Sequence, residues 1–359
     1  MAMLRTALVA AFAATEVAAS CAYGTHLMPR AEDGKVPINT FGYSGTIGPA
    51  SWHLLNTTTN GACATGTNQS PIDMRAGTFT EVAGSDLAVT IPDFPAGATF
   101  ENLGTTVEVV GEGGSMTLAS RNQTFEFQQF HFHLPSEHLD NGTSMAMEMH
   151  MVFQSADAQI AVMGVYLDIN NAAAAAVAAP APGAKKTKRQ AGKNTKHTQA
   201  RSEKRSGKKC TGGRASSSSP SQTVEVIDVD AEPQANPAQV ASEMIETVLG
   251  AVGEISNPGT ATKTPAFAMS GLVAMLSGTT FQSYSGSLTT PPCSEGVNWF
   301  VATEPLSVTL DTYKAARSVI GHNARFAQNA PGEENVLSLS AAGMSSLGGA
   351  GAAAPAAKH

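Results

Sequence analysis

Gln129-Phe130-His131-Phe132-His133 sets two imidazoles two residues apart in an alternating run, the spacing at which a strand projects both from one face. Phe130 and Phe132 then point to the opposite side. Met145-Ala146-Met147-Glu148-Met149-His150-Met151-Val152-Phe153 alternates in the same way, with an apolar odd-numbered face and with Glu148, His150 and Val152 on the other. Antiparallel pairing of the two runs through a turn around Asp140-Asn141-Gly142 brings His131, His133 and His150 to one point. Three neutral imidazoles suit tetrahedral Zn²⁺ with the fourth position left open, the arrangement of a catalytic site; a structural zinc is closed by a fourth protein ligand.

The elements that must carry these residues follow from patterning. The chain has 359 residues, 42% of them hydrophobic, enough to bury a core, and its composition excludes collagen, coiled coil and wholesale disorder. No apolar run reaches the roughly 18 residues of a spanning helix. From about Phe41 to Tyr166 short alternating runs are separated by Gly, Asn and Pro, and strands are predicted at 87–90, 106–110, 116–119, 125–133, 145–153 and 160–168. Strands resume near Phe281 and at 297–303, after an amphipathic helix over 237–255 in which Val240, Met244, Val248 and Val252 recur at four-residue spacing.

Between these halves the composition changes. Residues 171–222 hold an alanine run, a cationic stretch and a serine run that cannot fill a core, so they are predicted to be a disordered insertion. Within it, 184–214 carry twelve basic residues and one acidic residue, so the overall net charge of -7 conceals a strongly acidic remainder. This loop has the charge to touch a polyanion or an anionic membrane by salt-sensitive electrostatics; a solvated tether is the plainer reading. Residues 1–20 read as a secretory signal peptide, with Arg5 ahead of an apolar stretch and small residues before Cys21. Asn-x-Ser/Thr sequons at Asn56, Asn68, Asn122 and Asn141 fit a secreted glycoprotein.

Two resemblances compete at the histidines. His131-x-His133-xxx-Glu137 resembles the cupin metal motif, in which the Glu is itself a ligand, although Phe125 stands where that motif expects glycine. Further on, the segment from Ser283-Tyr284-Ser285-Gly286-Ser287-Leu288-Thr289-Thr290-Pro291-Pro292-Cys293 to Trp299 is similar to the α-class carbonic anhydrases, as are FHFH, Ser136-Glu137-His138 and Glu148-x-His150. Gly48-Pro49-Ala50-Ser51-Trp52, Asn68-Gln69-Ser70-Pro71-Ile72 and Asn323-Ala324-Arg325-Phe326-Ala327-Gln328 match as well, and all run in family order from about Phe41 to Gln328.

That resemblance implies a mainly β fold: a large central twisted, mostly antiparallel sheet with a few peripheral helices and the long disordered insertion. It implies a domain over 36–338 interrupted by 171–222, with 339–359 as a disordered tail. The implied reaction is reversible hydration of CO₂ to bicarbonate and a proton by attack of zinc-bound hydroxide, with His131, His133 and His150 on the zinc. Thr289 and an ionised Glu137 would orient the hydroxide. Gln129, Glu148 and the carbonyl of Asn323 would hold the three rings. Val152, Val162, Leu288, Val297 and Trp299 would form the apolar wall for CO₂, and Thr290 would face bicarbonate. Cys63 and Cys293 occupy positions where secreted members place a disulfide. Thr105 stands where the best-known members carry a proton-shuttling histidine, and threonine cannot cycle a proton near neutral pH; His53 and His322 read as structural. The alternatives are a cupin-type metalloenzyme and a slow or inactive carbonic anhydrase-like protein that holds polyanions through 184–214.

Overall fold

The computed structural model describes residues 22–26, 28, 30, 35–170 and 236–348. The signal peptide at 1–20, the insertion at 171–222 with its cationic stretch, Cys21, Cys210 and residues 349–359 lie outside the described residues.

The described residues form thirteen strands: β1 Asp73–Met74, β2 Thr80–Ala83, β3 Thr99–Asn102, β4 Val107–Val110, β5 Ser115–Leu118, β6 Gln123–His133, β7 Leu139–Asp140, β8 Met147–Ser155, β9 Ile160–Ile169, β10 Ala261–Lys263, β11 Thr280–Ser287, β12 Glu295–Ala302 and β13 Leu306–Val308. Eleven form one sheet whose main path runs β10-β3-β4-β6-β8-β9-β12-β11-β2, with β5 on β6 and β13 on β9; β1 and β7 pair apart. The pairs are antiparallel except β12 and β13 on β9, which are parallel, as is β1 on β7. This is the predicted large, mostly antiparallel sheet.

Alternation sorts the two faces. Phe130, Phe132, Met147, Met149, Met151 and Phe153 are buried in one cluster with Ile245, Val248 and Leu249 of the helix Pro237–Gly250. This is the larger core, and it holds the sheet rigid beneath the opposite face, where the histidines stand. The helix begins where the sequence places it, with Asn236 as cap accepting from Ala238 N–H and Pro237 opening its first turn. The turn beyond β7 has φ of 48° at Asn141 and 81° at Gly142, the left-handed pair that Asn-Gly favours.

Both edges of the 171–235 interval are pinned to β13. Ile169 at the end of β9 pairs with Val308, and Ser242 Oγ, one turn into the helix, accepts from Ser307 N–H at 3.0 Å.

Two expectations are corrected. Residues 87–90 are not a strand: a 3-10 helix runs Gly84–Leu87, and Ala88 takes φ 38°. A side chain at Gly84 would meet the Leu276 carbonyl at 1.8 Å, so close backbone packing decides that segment rather than its apolar content. The expected disordered tail from 339 begins as a helix. A helix spans Val336–Gly348, through the first half of the expected tail, and its start is anchored: Asn335 Oδ1 accepts from Leu337 N–H, and Ser338 Oγ donates to Ala64 O.

Candidate metal centre

β6 and β8 pair in the register His131 opposite His150, His133 opposite Glu148 and Gln129 opposite Val152. Opposite residues share a face, so the three imidazoles come together because of that register. A one-residue slip would send His150 into the apolar core. Each ligand nitrogen lies within 4.8 Å of the other two, and all three residues are fully buried.

The hydrogen bonds settle which nitrogens are available. His131 Nδ1 donates to Gln129 Oε1 at 2.8 Å, His133 Nδ1 donates to the Asn323 carbonyl at 2.8 Å, and His150 Nε2 donates to Glu148 Oε1 at 2.8 Å. A neutral imidazole has one N–H, so His131 Nε2, His133 Nε2 and His150 Nδ1 are left as lone pairs. The first two are 3.1 Å apart, and His150 Nδ1 is buried without a hydrogen-bond partner. Two ligands at about 2.0–2.1 Å from a tetrahedral zinc would be roughly 3.3–3.4 Å apart. Donor chemistry, tautomers and spacing all fit a divalent cation.

Burial lowers the pKa of each ring: well down for His131, down to about 3 for His133, and down for His150, with the neighbouring imidazoles adding to the effect. The rings are therefore neutral, the form that binds metal.

Glu137 is buried beside this centre. Its Oε1 accepts from Arg325 N–H at 2.8 Å, and Oε2 is 3.4 Å from His133 Nε2 and 3.9 Å from His150 Nδ1. Burial pushes its carboxyl well above the usual range, while hydrogen bonds from Arg325 N–H and the Thr289 hydroxyl pull the other way. The protein alone thus favours the neutral acid, against the expectation of an ionised Glu137. A dication alongside would reverse that balance. Glu137 does not join the three-nitrogen focus, which takes in imidazoles alone. The cupin alternative also fails on architecture, since eleven strands form one open sheet rather than the two packed sheets of a jelly roll.

Glu148, which the sequence alone would leave as a strand carboxylate, is fully buried and tied down at both oxygens. Oε1 also accepts from His138 Nδ1 at 2.7 Å, and Oε2 takes the backbone N–H groups of Glu137 and His138 at 2.8 Å each. Burial acts to raise its pKa, yet the adjacent His138 and His150 hold it well below the usual range. His138 is a residue that sequence reasoning passed over. Its Nε2 lies 2.7 Å from Tyr284 Oη, which is 2.7 Å from Ser70 Oγ, so a chain of contacts runs from the triad to β11. The only cue was its place directly after Glu137.

Val152, Val162, Leu288, Val297 and Trp299 fall in one buried cluster, and the Trp299 ring packs edge-on at 4.8 Å from that of His150. Thr290 Oγ1 is buried with no hydrogen-bond partner. The Thr105 hydroxyl accepts from Asn39 Nδ2, which ties it to a group that does not titrate. His322 and Glu137 both line a cavity of about 420 Å³ that none of the three imidazoles borders. Cys63 and Cys293 are joined by a disulfide across 230 positions, and Cys293 N–H donates to Thr290 O, so the bridge braces the threonine loop.

The profile of the eukaryotic-type carbonic anhydrases matches residues 47–204 and 229–336. A carbonic anhydrase of Nostoc is 27% identical over 286 residues, 79% of this chain and 81% of that protein. The solved α-carbonic anhydrase of Aspergillus oryzae is 30% identical over 84% of this chain and 99% of its own, with a TM-score of 0.61. That of Thermovibrio ammonificans, determined with sulfanilamide, is 26% identical over 82% of this chain and 97% of its own, with a TM-score of 0.54. With its sheet, its profile match and its relatives in agreement, this chain belongs to the eukaryotic-type carbonic anhydrases, a family of enzymes that hydrate CO₂.

Proposed function

We propose that the chain is a zinc-dependent carbonic anhydrase in which His131 Nε2, His133 Nε2 and His150 Nδ1 hold the ion. The observation that carries this reading is the set of three convergent lone pairs, each fixed by a hydrogen bond on the far side of its ring. Uncompensated, two lone pairs 3.1 Å apart repel; a cation between them removes the conflict. Bound Zn²⁺ supplies Lewis acidity that makes water nucleophilic at neutral pH, the chemistry for which carbonic anhydrases are the standard case.

The chain's own groups do the rest. The Thr289 hydroxyl donates its hydrogen bond to Glu137 and so can only accept one from the attacking oxygen, which fixes the direction of attack. Val152, Val162, Leu288, Val297 and Trp299 receive uncharged CO₂, which needs no polar partner. Thr290 Oγ1, unpartnered in the protein, is available to bicarbonate. Gln129, Asn323 and Glu148 hold the rings in orientation. Thr105 offers no proton relay, so the proton leaves through buffer or water. The disulfide fits an oxidising compartment, and together with residues 1–20 and the sequons it supports secretion. The described residues contain no helix long and apolar enough to cross a membrane.

Metal analysis paired with stopped-flow CO₂ hydration tests the reading. Stoichiometric zinc with rapid hydration is expected; a zinc-loaded chain with no hydration would overturn it.

A further inference from the structure

On the face of the sheet that carries the histidines, residues 22–26, 28 and 30 pack against the apolar wall. Ala22, Tyr23 and Met28 are buried in the same apolar cluster as Val152, Val162, Leu288, Val297 and Trp299, the proposed CO₂ wall. Thr290 and the three histidines are 0% exposed, and Leu288 is 1% exposed. A site that exchanges CO₂ and bicarbonate with solvent needs this wall to meet water, and here it does not.

The segment is gripped from both sides of the triad. On one side Arg30 pairs with Glu108 and, at 3.1 Å, with Glu101. Glu108 is the β4 residue directly opposite His131, so it shares the histidine face. On the other side His26 N–H donates to Gln154 Oε1 at 3.1 Å; Gln154 is two residues beyond Val152 on β8, again on that face. His26 also borders a cavity of about 250 Å³ with Leu288 and Val297. The described residues therefore hold β4 at Arg30 and β8 at His26, both on the sheet face that carries the histidines.

It is also shaped for the task. Gly24 N–H donates to Met28 O at 2.8 Å, Met28 N–H to Thr25 O at 3.1 Å and the Thr25 hydroxyl to Ala22 O at 2.6 Å, so it is a closed turn rather than a trailing end. Gly24 has φ 85°, and a side chain there would meet the Arg30 guanidinium at 3.2 Å. Arg30 in turn lies 4.6 Å over the Tyr23 ring.

We infer that the segment whose described residues are 22–26, 28 and 30 is an autoinhibitory strap over the apolar wall, and that the enzyme reaches full rate when the strap is displaced or removed. This rests on the proposed assignment of the centre. An equilibrium between closed and open forms lowers the apparent activity by the fraction open.

The experiment compares the zinc-loaded full chain, the same chain lacking residues 1–30, and full-length Arg30→Glu, which sets a third acid against Glu101 and Glu108. Two quantities are read: the rate of zinc loss to excess dipicolinate and the rate of CO₂ hydration. The truncated chain is expected to lose zinc at least about tenfold faster and to hydrate CO₂ correspondingly faster. Arg30→Glu is expected to give about a fivefold rise in zinc loss, the scale of one partly buried ion pair. Equal zinc-loss rates in all three overturn the strap. Faster zinc loss without hydration in any of them supports the strap and sinks the enzymatic assignment instead. If the truncated chain does not fold, Arg30→Glu decides alone, since it leaves the apolar cover in place.

Discussion

His131 Nε2 lies 3.1 Å from His133 Nε2, and neither can donate a proton to the other, because each ring has its N–H committed on the far side to Gln129 or Asn323. Such a contact is stable only with a cation between the rings. His133→Ala is therefore expected to lose zinc and activity together, measured as metal per chain after gel filtration and as hydration rate. Retention of stoichiometric zinc would show that the ion sits elsewhere.

Glu137 lies beside the centre without joining it. Glu137→Ala should keep its zinc and lose rate by roughly 10²- to 10³-fold, the scale for removing a group that orients the reacting oxygen. Loss of zinc in this variant would make the carboxylate a ligand.

His138 acts through Glu148 on His150 and is a positioning residue. His138→Ala is expected to weaken zinc binding about 10- to 100-fold, read by competition with a chelator, with the remaining bound fraction still active. Unchanged affinity would mean that the backbone N–H groups of Glu137 and His138 suffice to hold Glu148.

Acid stability of the metal-free protein carries a sign fixed by burial. His133 is held down to about 3 in the fold, against an ordinary 6.5. Below about 6.5 the unfolded chain takes up a proton that the folded chain refuses, so the contribution is complete above about 6.5 and is lost as pH falls toward about 3. The slope is at most about 1.4 kcal/mol per pH unit for each proton. Urea midpoints of the metal-free wild type should fall more steeply over this range than those of His133→Gln. Equal slopes would place a charged imidazole in the folded protein.

The Cys63–Cys293 bond closes 230 positions, and chain-entropy arguments give it roughly 5 kcal/mol. Cys63→Ser should lower the denaturant midpoint by a corresponding amount and, by freeing Cys293 beside the Thr290 carbonyl, slow hydration as well. A stability loss with no change in rate would show that the threonine loop keeps its place unaided.

The centre was legible because a strand's period of two is exact. Once Gln129 to His133 and Met145 to Phe153 read as strands, the shared face of His131, His133, Glu148 and His150 followed, and the Asn141-Gly142 turn supplied the antiparallel pairing. Family resemblance added Thr289, Asn323 and the Cys63–Cys293 pairing, none of which local patterning could link across 150 or more residues. His138 stayed hidden because a lone buried histidine carries no periodic signal. The segments 87–90 and 336–348 depend on tertiary contacts, a carbonyl against Gly84 and caps from Asn335 and Ser338, that a window of sequence does not contain. The strap was missed for a related reason: residues 22–30 have little regular pattern of their own, and only the folded face of β4, β6 and β8 gives Arg30 and His26 something to hold.

Ile169 and Ser242, which flank the interval 171–235, are both clamped to β13, so whatever joins them begins and ends at the same edge of the domain. The entropy of closing such a loop rises by only about 0.6 kcal/mol for each doubling of its length. That border is a thermodynamically permissive port: a reporter module or affinity handle spliced there, or a shortened connector, should leave melting behaviour almost untouched, which makes it the natural address for engineering this enzyme.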